Sequence, residues 1–185
     1  MKIYKTITCM LLLATGSIQA ATVAFAPNPS TVGLGDTFSL AIAGTEFAGT
    51  EGGGAAFTFD QTILQVNSVT VDSIVWDVFT SSGTIDNVTG SVDGITVAAF
   101  VDPGANFAVA TIEFTAIGLG VTTLNLAENP LNPWASGGSQ INPTLLNGSV
   151  TVTAVPLPLT LWLFGSALGI FGCLHLQISR KFSDQ

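Results

Sequence analysis

In the middle of this chain, apolar side chains recur at every second position. Phe38, Leu40 and Ile42 alternate with Thr37, Ser39 and Ala41, and Ala55, Phe57 and Phe59 alternate with Ala56 and Thr58. Ala108, Ala110, Ile112 and Phe114 alternate with Val109, Thr111, Glu113 and Thr115. Leu124 and Leu126 alternate with Thr123 and Asn125, and Val150, Val152 and Ala154 with Ser149, Thr151 and Thr153. Successive side chains of an extended backbone point to opposite faces, so each run is a strand with one buried face. Turn signals separate the runs at Gly33–Asp36, Gly52–Gly54, Asp93-Gly94, Asp102-Pro103-Gly104, Gly118–Gly120 and Asn147-Gly148. The pattern predicts one all-β domain over residues 21–154, a sandwich or jelly roll of short antiparallel strands.

The charges narrow the chemistry. The formal net charge is -8, but all four basic residues lie at the ends, as Lys2, Lys5, Arg180 and Lys181. The only His is His175 and the only cysteines are Cys9 and Cys173. Between Thr22 and Val155 there are eleven carboxylates and no Lys, Arg, His or Cys, so this stretch carries -11. A Ser-His-Asp or Cys-His site has no imidazole or thiol to use. Zinc, haem and iron–sulfur sites lack their ligands. A nucleic-acid groove has no cation with which to neutralise phosphates. Carboxylate chemistry, calcium held by oxygen ligands, and binding without catalysis remain.

Both ends read as targeting segments. Residues 1–20 have the form of a secretory signal peptide: Lys2 and Lys5 form the positive region, Ile7 to Ala14 a short apolar core, and Ile18-Gln19-Ala20 a cleavage point ahead of Ala21. Some ten apolar residues are too few to span a bilayer, which takes about twenty. Leu159 to Ile178 is an apolar run of that length, with His175 near its end and Arg180 and Lys181 following it. The positive-inside rule puts that basic tail in the cytoplasm and the central domain outside.

Residues 155–185 resemble the PEP-CTERM class of bacterial sorting signals in its VPLPA variant. The resemblance rests on Val155-Pro156-Leu157-Pro158, Leu161-Trp162-Leu163-Phe164-Gly165-Ser166 and Arg180-Lys181. It implies recognition of the Pro motif by an exosortase, removal of the helix, and delivery to the cell surface or extracellular matrix. Leu159 stands where the variant has Ala, and no Glu separates the prolines.

The order of strands resembles the cohesin module, a jelly-roll β-sandwich of about nine strands. The residues that carry this are Val32-Gly33-Leu34-Gly35-Asp36-Thr37-Phe38, Ala56-Phe57-Thr58-Phe59-Asp60 running into Ile63-Leu64-Gln65-Val66, Ala108 to Ala116, Gly118 to Leu126, and Asn147 to Val152. Phe59-Asp60 replaces the usual Tyr-Asp. The resemblance implies binding of a dockerin or, through a related fold, of carbohydrate.

Trp76 and Trp134 are the candidate ligand contacts, because sugar sites use exposed aromatic platforms. Trp76 lies in the apolar run Ile74 to Phe79 and reads as core. Trp134 follows Asn129-Pro130-Leu131-Asn132-Pro133, a loop-like stretch compatible with exposure as well as burial, and it is the preferred single ligand contact. A glycosidase needs two carboxylates flanking one bond, whereas those here are scattered singly through turns; Asp60 reads as a turn cap. No D-x-D-x-D-G calcium loop is present. Asn87-Val88-Thr89 and Asn147-Gly148-Ser149 match the glycosylation sequon. The sequence therefore predicts an exported binding or structural protein with no cofactor, whose partner is an extracellular polysaccharide or a surface protein. Its alternatives are a carbohydrate- or dockerin-binding module in polysaccharide breakdown and a carboxylate-dependent glycoside hydrolase.

Overall fold

A computed structural model describes residues 20–155. The signal peptide up to residue 19, Pro156, Leu157, Pro158, the apolar run Leu159 to Ile178, and Arg180 and Lys181 lie outside the described residues. The described chain forms thirteen strands and no helix. In order they are β1 (Thr22–Ala26), β2 (Ser30–Gly33), β3 (Thr37–Thr45), β4 (Gly52–Thr58), β5 (Leu64–Thr70), β6 (Phe79–Asp86) and β7 (Ser91–Ala98). β8 (Phe107–Ala116), β9 (Gly120–Glu128), β10 (Ala135–Ser136), β11 (Ser139–Gln140), β12 (Thr144–Leu146) and β13 (Gly148–Thr153) follow.

Two sheets make a sandwich. One runs β12-β1-β3-β8-β5. The other contains β4, β9, β13 and β2 in that order, extended by β7 and then β6 on the far side of β4, with the β10–β11 hairpin meeting β4 at Gly52. The count exceeds the nine strands expected because the first and last strands each change sheets. The chain breaks at Pro27 and Pro29 between β1 and β2, and at Asn147 between β12 and β13, and each half pairs in parallel with its counterpart. Counted as two interrupted strands, and without the two-residue hairpin, the remainder is nine.

The inward faces form one continuous apolar core. Phe25, Phe57, Phe59, Phe114 and Phe38 interlock in its lower part, with Phe25 edge-on to Phe57 at 5.4 Å. Trp76, Phe107, Phe47 and Trp134 form a second aromatic group in its upper part. Burying a side chain of this size contributes about 1.5–3 kcal/mol, so the sandwich does not depend on disulfides.

Two features depart from the simple alternation. A bulge opposite Ile42 and Ala43 skips one residue of β8. Val109 and Ala110 are therefore both buried, while Ala108, expected on the inner face, points outward. A bulge reverses the parity of every side chain beyond it. Gly52 to Gly54, expected as a turn, instead forms the buried start of β4 and pairs with Ala98, Val97 and Thr96.

The termini leave from opposite ends. Thr22 pairs with Thr45 at the upper end. At the lower end, Leu34 N–H donates to Thr153 O at 2.8 Å, beside the Ile117–Gly120 turn.

Candidate binding surface

Trp76 is 1% exposed, and its indole N–H donates to Ala108 O at 2.9 Å. It is a core residue. Trp134 is also 1% exposed, which corrects the expectation of a surface platform. Its ring stacks on Phe107 at 5.9 Å and lies over Gly53, while its backbone N–H donates to Glu128 Oε1 at 2.9 Å. The loop before it folds back onto the glycine strand, where Asn132 Nδ2 donates to Gly53 O at 2.7 Å and Asn129 Nδ2 to Thr96 Oγ1 at 3.1 Å. Three residues without side chains leave a trough along β4, and the loop fills it. Neither tryptophan can serve as an exposed sugar platform.

The exposed aromatic residues are elsewhere. Of the eleven aromatic residues between 20 and 155, only Phe79 and Phe100 are largely exposed, at 56% and 85%. The β5–β6 connection and the β7–β8 loop bring them together. Val78 N–H donates to Ala98 O at 3.1 Å, Phe79 pairs with Ala98, and Phe100 N–H donates to Asp77 Oδ1 at 3.0 Å. Val78, Val101 and Ile74 are exposed on the same two connections. The upper end of β6, an edge strand paired only with β7, therefore carries an apolar surface beside Asp77. Only half of the local signal was legible in the run Ile74 to Phe79. That run feeds Trp76 into the core and leaves its neighbours outside, and periodicity does not say which residue turns inward. Phe100 is a lone aromatic in a loop and gave no pattern at all.

Ten of the eleven carboxylates accept hydrogen bonds within the domain. Asp60 accepts from Thr62 Oγ1 at 2.6 Å and Thr62 N–H at 2.8 Å, and these two bonds hold its carboxyl below the usual aspartate value. Thr89, through its hydroxyl and its amide, and then the Val88 amide do the same for Asp86. Glu51 accepts from Gly137 N–H at 3.0 Å, across the hairpin. Asp60 and Asp86, bonded to the amides two and three residues on, close turns in this way. Among the described residues, no three His, Cys, Asp or Glu side chains gather where they could hold a metal ion. The two sequon asparagines are also engaged: Asn87 bridges the N–H and C=O of Val66, and Asn147 Oδ1 accepts from Leu126 N–H.

No family model matches the chain. No curated protein matches it in sequence. Solved structures do. A cohesin of Acetivibrio cellulolyticus, in complex with a dockerin, superposes with a TM-score of 0.57 at 22% identity, over 72% of this chain and 99% of that one. The fold is that of the cohesin module. A type I cohesin of Pseudobacteroides cellulosolvens gives a TM-score of 0.60 at 17% identity, covering 75% of this chain and 96% of that one. A non-cellulosomal cohesin from the archaeon Archaeoglobus fulgidus gives 0.60 at 10% identity, covering 74% and 93%. At these identities the likeness is one of backbone architecture, and it makes the cohesin-like module an all-β scaffold on which surface residues set the function.

Proposed function

We propose that this chain is an exported, non-catalytic binding module. It holds a protein partner on the apolar surface of Val78, Phe79 and Phe100, and residues 155–185 direct it to the cell surface or extracellular matrix. One observation carries the reading: a domain that buries or half-buries nine aromatic residues leaves two exposed at one end, Phe79 at the start of edge strand β6 and Phe100 on the β7–β8 loop that bonds to Asp77. Exposed apolar groups of this kind, set in a polar surface, mark interaction sites. Solved cohesins with this fold in complex with dockerins support a protein partner over a polysaccharide. The engagement of ten carboxylates in hydrogen bonds within the domain, scattered over turns and strands, argues against a hydrolase. The termini suit display: a chain anchored through Val155 carries Phe79 and Phe100 at its far end.

The test is affinity capture from the extracellular fraction with the exported protein, followed by the Phe79→Ser, Phe100→Ser double variant. A protein captured by the wild type and by a Leu131→Ser control, but not by the double variant, supports the reading. Capture that survives the double change, or glycan binding in its place, defeats it. Sorting is tested separately: Pro156 and Pro158 changed to Ala should abolish processing in an exosortase-positive host, read by mass and location.

A further inference from the structure

Glu46 differs from every other carboxylate of the domain. Among the described residues no hydrogen-bond donor reaches its side chain, whereas each of the other ten accepts at least one bond. It is also the only non-glycine residue described with positive φ, at 59°. That left-handed conformation is disfavoured for a side chain with a Cβ and persists where surrounding structure imposes it.

Its neighbour across the sheet is Ala21. Thr22 of β1 pairs with Thr45 of β3, so the next residues outward, Ala21 and Glu46, stand opposite one another where the two strands end. Both line one pocket of about 280 Å³, together with Phe47, Ser136, Ile141 and Asn142. Ala21 is fixed there by Thr144 N–H, which donates to Ala21 O at 2.8 Å.

The signal-peptide reading ends the leader at Ala20. Hydrolysis of the Ala20–Ala21 bond by a leader peptidase gives water's oxygen to the Ala20 carboxyl and leaves the Ala21 nitrogen as an amine, protonated at neutral pH. Residues 21–155 contain no Lys, Arg or His, so this α-ammonium is the sole cation of the domain.

We infer that the pocket is a receiving site for a primary ammonium group, occupied by the chain's own processed N-terminus, with Glu46 as its counter-ion. Three N–H donors replace the single N–H of the precursor amide, and Ser136 and Asn142, which line the same pocket, carry further acceptor oxygens, Asn142 Oδ1 already accepting from Gln140 Nε2 at 3.5 Å. The site is completed only after export. The inference rests on the export reading proposed above.

Two other carboxylates belong to this end. Asp102 lies against Gly49 and accepts from Thr50 and Gly104 N–H, and Glu51 accepts from Gly137 N–H. Both remain when Glu46 is changed, so a variant at Glu46 isolates its own effect.

The test uses the full chain, exported and purified after processing, with its N-terminus read by mass. The rate of acylation of the α-amine is followed from pH 7 to 10 by peptide mass. A carboxylate partner raises the amine's pKa, so at pH 7 the amine of Glu46→Gln should acylate about two- to five-fold faster than wild type, the range of an exposed ion pair. Glu46→Gly, which the left-handed backbone favours, should behave alike. Equal rates in all three proteins overturn the inference. A mass that places the N-terminus elsewhere overturns the export boundary. The same protein is then titrated with methylammonium, and shifts of the Ala48 and Gly49 amides that do not depend on Glu46 overturn the site as well.

Discussion

Trp134 lies directly on Gly53, so close that a single methyl group on that glycine would collide with the indole ring. Gly53 has no unusual backbone angle that demands glycine. Its role is to be empty, and the loop that precedes Trp134 is built to use that space.

Gly53→Ala should therefore destabilise the domain by about 1–3 kcal/mol through overpacking, since neither the rigid ring nor the strand backbone can yield. Urea unfolding checks this: the midpoint should fall with an unchanged slope.

Trp134→Ala should cost about 3–5 kcal/mol, the usual effect of emptying a large core site. A surface sugar platform would lose binding and keep its stability, so a variant as stable as wild type would contradict the placement of this residue.

Phe100→Ser should behave in the opposite way. The side chain is 85% exposed, and its loss should change stability by no more than about 0.5 kcal/mol while abolishing partner capture. Thermal unfolding and capture, measured on one preparation, separate the two effects.

Asp60 and Asp86 set a pH dependence. Each carboxyl binds its proton more weakly in the folded chain than the ordinary aspartate value of 3.8, because hydrogen bonds from Thr62 and Thr89 favour the charged form. Their contribution is present above that value and is lost as pH falls through the lowered folded pKa. Asp60→Asn and Asp86→Asn should be less stable than wild type at pH 7, and the difference should shrink towards pH 2. A difference that stays constant over that range would exclude the effect.

Salt should stabilise the domain. Residues 22–155 carry only negative side-chain charge, so screening weakens their mutual repulsion, and the one attraction it also weakens is the inferred contact of Glu46 with the α-ammonium. Raising NaCl from 0.01 to 0.5 M, roughly a change in Debye length from 30 to 4 Å, should raise the unfolding midpoint.

Much of the architecture was legible. The alternation in β3, β9 and β13 places Leu40, Ile42, Leu124, Val150 and Val152 in the core, where they are found. It failed at Ala108 and Val109, because a bulge is created by pairing with β3 and leaves no mark in the β8 sequence. It failed again at Gly52 to Gly54, because a glycine run reads alike whether it makes a turn or a trough for another segment.

The sequence by itself determined the all-β class, the cation-free domain and the forms of chemistry it cannot perform, because strand periodicity and charge are properties of residues taken one after another. Only the tertiary structure decided that Trp134 is buried along with Trp76, that Phe79 and Phe100 are exposed at the same end, and that Ala21 stands opposite Glu46. Those facts depend on which distant segments pack against each other, and packing between residues far apart in the chain is not written in any local pattern.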